Sequence, residues 1–158
     1  MISSTARDLP EHREQVRLAC ERAGFAPHDM MEHLTAEDAN AIEVSLRMVL
    51  TADVYLGILA YRYGTIPPGY SKSITEMEYD EAVRLNKPRL IFFIHKDHKV
   101  TISDVDTGAA AEKLKALKER VGEARVAAFF KSADDLRADV VEALTALREK
   151  LDDEVRRR

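Results

Sequence analysis

Leu90-Ile91-Phe92-Phe93-Ile94, set between Arg89 and His95, is an unbroken apolar run. Asp53-Val54-Tyr55-Leu56-Gly57-Ile58-Leu59-Ala60 is apolar almost throughout. Strands of this kind are covered on both faces, which is the habit of a parallel sheet clothed by helices. Working outward, Ser73 opens a helical pattern between the two runs and Lys87-Pro88 closes it. Ile42, Leu46 and Val49 repeat at helical spacing before the first run. After the second run, Leu114, Leu117 and Val121 mark a helix that Gly122 ends. Ala124 to Phe130 then reads as a strand, and Leu136, Val140, Leu144, Leu147, Leu151 and Val155 stripe a long last helix capped by Ser132. At the start, Ile2-Ser3 reads as a short strand. Asp8 is placed to cap a helix, Glu11 to complete its capping box, and Gly24 to end it. Leu9, His12, Val16, Ala19 and Ala23 form that helix's inward face, and Phe25 to Met31 is a weaker strand candidate. The order is strand and helix in alternation, five times over. It predicts a three-layer α/β fold with a five-stranded parallel sheet.

The chain has 158 residues, 46% of them apolar and 33% charged, with a net charge of −4. This suits one domain spanning 1–158, with a proper core and no general basic field for nucleic acid. Both ends look cut, as expected of an excised domain or of the N-terminal module of a longer protein. A single cysteine, Cys20, allows no intrachain disulfide, and no apolar run reaches bilayer length. The expected setting is cytoplasmic, without a membrane anchor.

A doubly wound sheet binds ligands outside the carboxyl ends of its strands. Three loops are candidates for that edge: Ser3 to Asp8, His28 to Asp38, and Tyr61 to Lys72. Beyond the last of them, Ile74, Glu78, Ala82 and Leu85 share one helix face. Ile74, Ala82 and Leu85 are expected against the sheet, so Glu78 is a carboxylate among core residues. Such a group needs a partner or a pocket, and partial burial raises its pKa. The competing reading comes from Ser73-Ile74-Thr75-Glu76 and Thr75-Glu76-Met77-Glu78. Both match a capping box, and Glu78 could serve a backbone amide.

Ile2-Ser3-Ser4-Thr5-Ala6-Arg7-Asp8-Leu9 resembles the opening of a TIR-like (flavodoxin-like) family found at the N-termini of NACHT-type and other multidomain signalling and defence proteins. The resemblance resumes at Ala52-Asp53-Val54-Tyr55-Leu56-Gly57-Ile58 and runs through Tyr61-Arg62-Tyr63-Gly64, Ser73 to Tyr79, Glu81-Ala82 and Asn86-Lys87-Pro88. It implies an effector domain that hydrolyses the N-glycosidic bond of NAD or a related nucleotide, akin to TIR NAD hydrolases and nucleoside deoxyribosyltransferases. Glu78 matches their reactive glutamate. Ser3, Ser4 and Arg7 would contact ribose or phosphate, Tyr61 and Tyr63 would stack on a base, and Arg62 would pair with phosphate, against the plainer readings of Ser3-Ser4 as a turn, of the two tyrosines as partly buried loop anchors and of Arg62 as a solvated charge. NAD enters as substrate, with no resident cofactor. The alternative is a non-catalytic module that signals by homotypic self-association.

His95-Lys96-Asp97-His98 has metal-ligand residue types, but no further ligand is placed by the sequence, so no metal is assigned. Cys20 and His12 could form a catalytic pair, against the plainer reading of Cys20 as a buried structural residue.

Overall fold

A computed structural model describes residues 1–29 and 40–158. The strands are β1 (Ile2–Ser4), β2 (Tyr55–Leu59), β3 (Arg89–Ile94) and β4 (Val126–Phe130). All pair in parallel, in the order β1-β2-β3-β4. The α-helices are α1 (Pro10–Arg22), α2 (Ala41–Thr51), α3 (Ile74–Arg84), α4 (Gly108–Val121) and α5 (Ala133–Arg156). The described residues form a three-layer α/β sandwich with a parallel sheet, consistent with a flavodoxin-like topology.

Each strand of a parallel sheet sends alternate side chains to opposite faces, and two cores follow. Leu56, Ile58, Phe92, Ile94 and Phe130 pack with Val16 and Ala19 of α1 and with Leu136, Val140 and Leu144 of α5. Tyr55, Leu59, Ile91 and Phe93 pack with Val49 of α2, Tyr79 and Ala82 of α3, and Leu114, Leu117 and Val121 of α4.

The described residues hold four strands where the sequence predicts five. In the expected second strand, 25–29 is not strand, and Met30 and Met31 lie outside the described residues. This segment still meets the outer edge of β1, where the Ile2 N–H donates to the His28 carbonyl at 2.9 Å. Pro27 has no N–H for a ladder, so regular pairing fails there. The cap of α1 also differs. Pro10 takes the first helical position, which its fixed φ favours, so Leu9 becomes the N-cap and Asp8 stands outside. On α2 the buried stripe is Ala41, Ser45 and Val49, one step round from the predicted Ile42 and Leu46. On α5 the apolar stripe outlasts the core, leaving Val155 exposed.

Gly57 faces the α2–α3–α4 side between Tyr55 and Leu59. A β-carbon there would come to 2.9 Å from Ile91 Cδ1 and 3.0 Å from Tyr55 Cε1. The bare glycine lets the Tyr55 ring lie down along the sheet. Gly57→Ala is therefore expected to destabilise the fold by about 1–3 kcal/mol through overpacking. Urea denaturation with an unchanged m-value would check it; unaltered stability would show that the Tyr55 ring yields freely.

Candidate functional site

The site is built where β1 ends. Ile2 points into the α1–α5 core, so its neighbour Ser3 points to the opposite face. There it meets α2 and α3. The Ser3 hydroxyl donates to one carboxylate oxygen of Glu78, and the Ser45 hydroxyl of α2 donates to the other. Glu78 is only 4% exposed.

The start of α3 shows why Glu78 is free for this. Ser73 is the N-cap, its hydroxyl accepting from the Glu76 N–H at 3.1 Å. Glu76 instead accepts from the Tyr63 hydroxyl and pairs with Arg120 at 2.8 Å. Capping thus falls to Ser73, and Glu78 turns inward. Burial pushes its carboxyl up to about 7, against the downward pull of the Ser3 and Ser45 hydroxyls and of Arg13.

Arg13 extends this polar cluster. Its guanidinium forms a buried ion pair with Asp29 and also donates to the Ser4 hydroxyl and, at 3.1 Å, to the Ser4 carbonyl. Ser3, Ser45 and Glu78 thus form one hydrogen-bonded group at the end of β1 and Ser4, Arg13 and Asp29 a second, whose charges act on Glu78 through space, Arg13 lowering its pKa and Asp29 raising it. The sequence reading holds Ser3, Ser4 and Glu78 but misses Ser45, Arg13 and Asp29. Arg13 sits on a face of α1 that is otherwise core, with Val16, Ala19 and Cys20, and that is the signal that could have found it.

The remaining predicted residues lie apart from Glu78. Arg7 is exposed. Arg62 donates to the Ser103 carbonyl at 3.4 Å. Tyr63 is 1% exposed, with its hydroxyl accepting from the Ser73 N–H at 3.1 Å and its own N–H donating to Asp106 at 2.6 Å. Tyr61 is half-buried and borders a cavity of about 340 Å³ at the carboxyl ends of the strands, with Asp8, His12, Ala60, Ile94 and His98. Glu78 is not in its wall. Much of the expected His28 to Asp38 loop lies outside the described residues.

In that cavity the His12 and His98 Nε2 atoms lie 2.8 Å apart. His98 Nδ1 is 2.7 Å from the Lys99 carbonyl, which can only accept. His98 Nδ1 therefore carries a proton and donates to that carbonyl, and a single hydrogen bond joins the two Nε2 atoms. Burial, with His98 alongside, holds His12 down at about 4, so His12 is neutral. Among the described residues no group of three or more His, Cys, Asp or Glu side chains is arranged to hold a metal. Burial also pushes the Cys20 thiol up to about 11, so it is protonated and unreactive at neutral pH. No helix among the described residues is long and apolar enough to cross a membrane.

The family model described as a domain of unknown function, DUF4062, matches residues 1–145. No curated protein matches the chain.

Glu78 has a measurable consequence for folding. Its pKa rises from 4.5 to about 7 in the folded chain, so the native state holds this proton more tightly than the unfolded state does. That contribution is fully present below pH 4.5 and is lost as pH rises to about 7. Glu78→Gln keeps an acceptor for one serine and removes the charge. Its stability is expected to lack this decline and to exceed the parent's at pH 8 by roughly 2–3 kcal/mol. Parallel pH profiles from chemical denaturation would check this; superimposable profiles would mean that Glu78 titrates normally.

Proposed function

This chain belongs to the DUF4062 family, and from the site it carries we propose that it is a TIR-like effector domain that hydrolyses the N-glycosidic bond of NAD or a related nucleotide. Glu78 is the reacting carboxylate. One observation carries the reading: Glu78 is held in the interior by two neutral hydroxyls, with no direct ion pair among the described residues, and its carboxyl is pushed to about 7. A buried carboxyl with so little compensation is costly, and such groups gather at functional sites.

The chemistry fits the group. Cleavage of the bond leaves positive charge at the anomeric carbon, which an adjacent carboxylate stabilises or attacks. The bond's electron pair leaves with nicotinamide. Water then supplies hydroxide to the anomeric carbon and releases a proton, giving ADP-ribose. In this reading the substrate's ribose hydroxyls replace the serine hydroxyls on Glu78 in an open form of the domain. Ser3, Ser4, Arg7, Tyr61 and Arg62 are its candidates for ribose, phosphate and base. Tyr63 serves it indirectly, by holding the start of α3. Self-association and a cytoplasmic setting belong to the same proposal.

A second reading, a non-catalytic homotypic signalling module, draws on the closure of Glu78 and on apolar side chains left exposed: Ile102 at 94%, Phe129 at 43% and Val105 at 38%. Light scattering over a concentration series tests it, and a strict monomer throughout would count against it.

For the enzyme, nicotinamide release from NAD is expected at protein concentrations that span any self-association. Glu78→Gln should lower it by roughly 10²–10⁴-fold while leaving the protein folded. No release at any concentration, or equal rates for parent and variant, overturns the assignment.

A further inference from the structure

A second cavity, of about 640 Å³, lies between α4 and the β3–β4 end of the sheet. Its wall is largely apolar: Phe93, Ile94, Phe129, Val105, Ala111 and Leu114. Phe93 and Phe129 meet edge to face with ring centroids 5.9 Å apart. Into this setting α4 sends Lys118, whose ammonium lies 5.2 Å from the centroid of Tyr61 and 5.6 Å from that of Phe93.

Lys118 differs from Lys113 and Arg120, which have partners, and from Lys115, the cavity's other lysine, which is exposed to solvent. Lys113 donates to the Ser71 carbonyl at 2.7 Å, and Arg120 bridges Glu76 and Asp80. The Lys118 ammonium has no hydrogen bond or ion pair with any described residue; among those residues, two aromatic faces are its attractive surroundings. The carboxylates of the wall do not supply a partner. Asp106 is engaged by the Tyr63 N–H at 2.6 Å, and Glu119 and Glu123 are exposed at the rim. Burial accordingly holds the Lys118 ammonium down, at about 8.

We propose that this cavity binds a planar, mostly apolar small molecule carrying one negative charge, with Lys118 as the anchor of that charge. The volume lies within the range of small-molecule sites, which pair an apolar wall with a few polar groups. The aromatic rings suit a flat apolar body. An anionic group beside Lys118 supplies the missing partner in a low-dielectric setting, where a charge-assisted hydrogen bond is strong. The proposal does not depend on Glu78 or on NAD chemistry.

Calorimetry with naphthalene-2-carboxylate and its uncharged analogue naphthalene-2-carboxamide tests it at pH 7. The parent is expected to bind the carboxylate about tenfold more tightly than the carboxamide. Lys118→Met should abolish that preference while leaving carboxamide affinity within about twofold, because methionine keeps the apolar wall. Lys118→Arg should retain the preference. Ala111→Phe, which fills the cavity, should weaken both ligands. Equal affinities in the parent, a preference that survives Lys118→Met, or no heat from either ligand at millimolar concentration overturns the proposal.

Discussion

The carboxylate of Glu78 is where three separate elements of the fold meet. Ser3 reaches it from β1, Ser45 from α2, and Glu78 itself belongs to α3. In the core on this side of the sheet the contacts are between apolar side chains, which tolerate small slides at little cost. Two hydroxyls on one carboxylate do not, because a buried acceptor left without a donor loses its compensation for desolvation. These bonds fix how α2 and α3 lie against β1. They also explain why α2 buries Ala41, Ser45 and Val49 rather than the face its larger apolar residues suggest.

That arrangement trades stability for a poised group. Two neutral hydroxyls offset only part of the desolvation of a carboxylate, and the nearby Arg13 is largely committed to Asp29 and Ser4. A fold selected for stability alone would place a leucine or methionine at position 78. A carboxyl that burial raises toward neutrality is suited to the acid–base chemistry proposed for it.

The parts of the fold that were legible in the sequence are those governed by a single strong local signal. The runs at Leu56–Leu59 and Leu90–Ile94 could only be strands covered on both sides, and β2 and β3 lie at the centre of the sheet. The periodicity of α3 placed Glu78 inward, as observed. The errors arose where two local signals competed. Asp8 has a good capping side chain, but Pro10 fixed the helix start one residue later, with Leu9 as the N-cap. Phe25 to Met31 has strand-like residues, but Pro27 interrupts them. Ser45 was illegible for a different reason. A serine on an amphipathic helix reads as surface until its partner is known, and that partner lies on another element, 33 residues away. Lys118 was hidden in the same way, as an ordinary lysine on a helix until the rings of Tyr61 and Phe93 were placed beside it.

Tyr61 and Tyr63 look equivalent in the sequence and do opposite things in the fold. The segment between β2 and α3 sends Tyr61 to the half-buried margin of both cavities and Tyr63 into the interior. Tyr63 there receives the Ser73 N–H and donates to Glu76, while Arg120 of α4 holds Glu76 from the other side. This latch fixes the rotation of α3 at its first turn. Each residue of an α-helix turns by about 100°, so a register shift of one position would swing Glu78 off Ser3 and Ser45 and bring Met77 or Tyr79 in its place. The aim of the buried carboxylate is therefore set at the N-terminus of α3, by groups that never touch it.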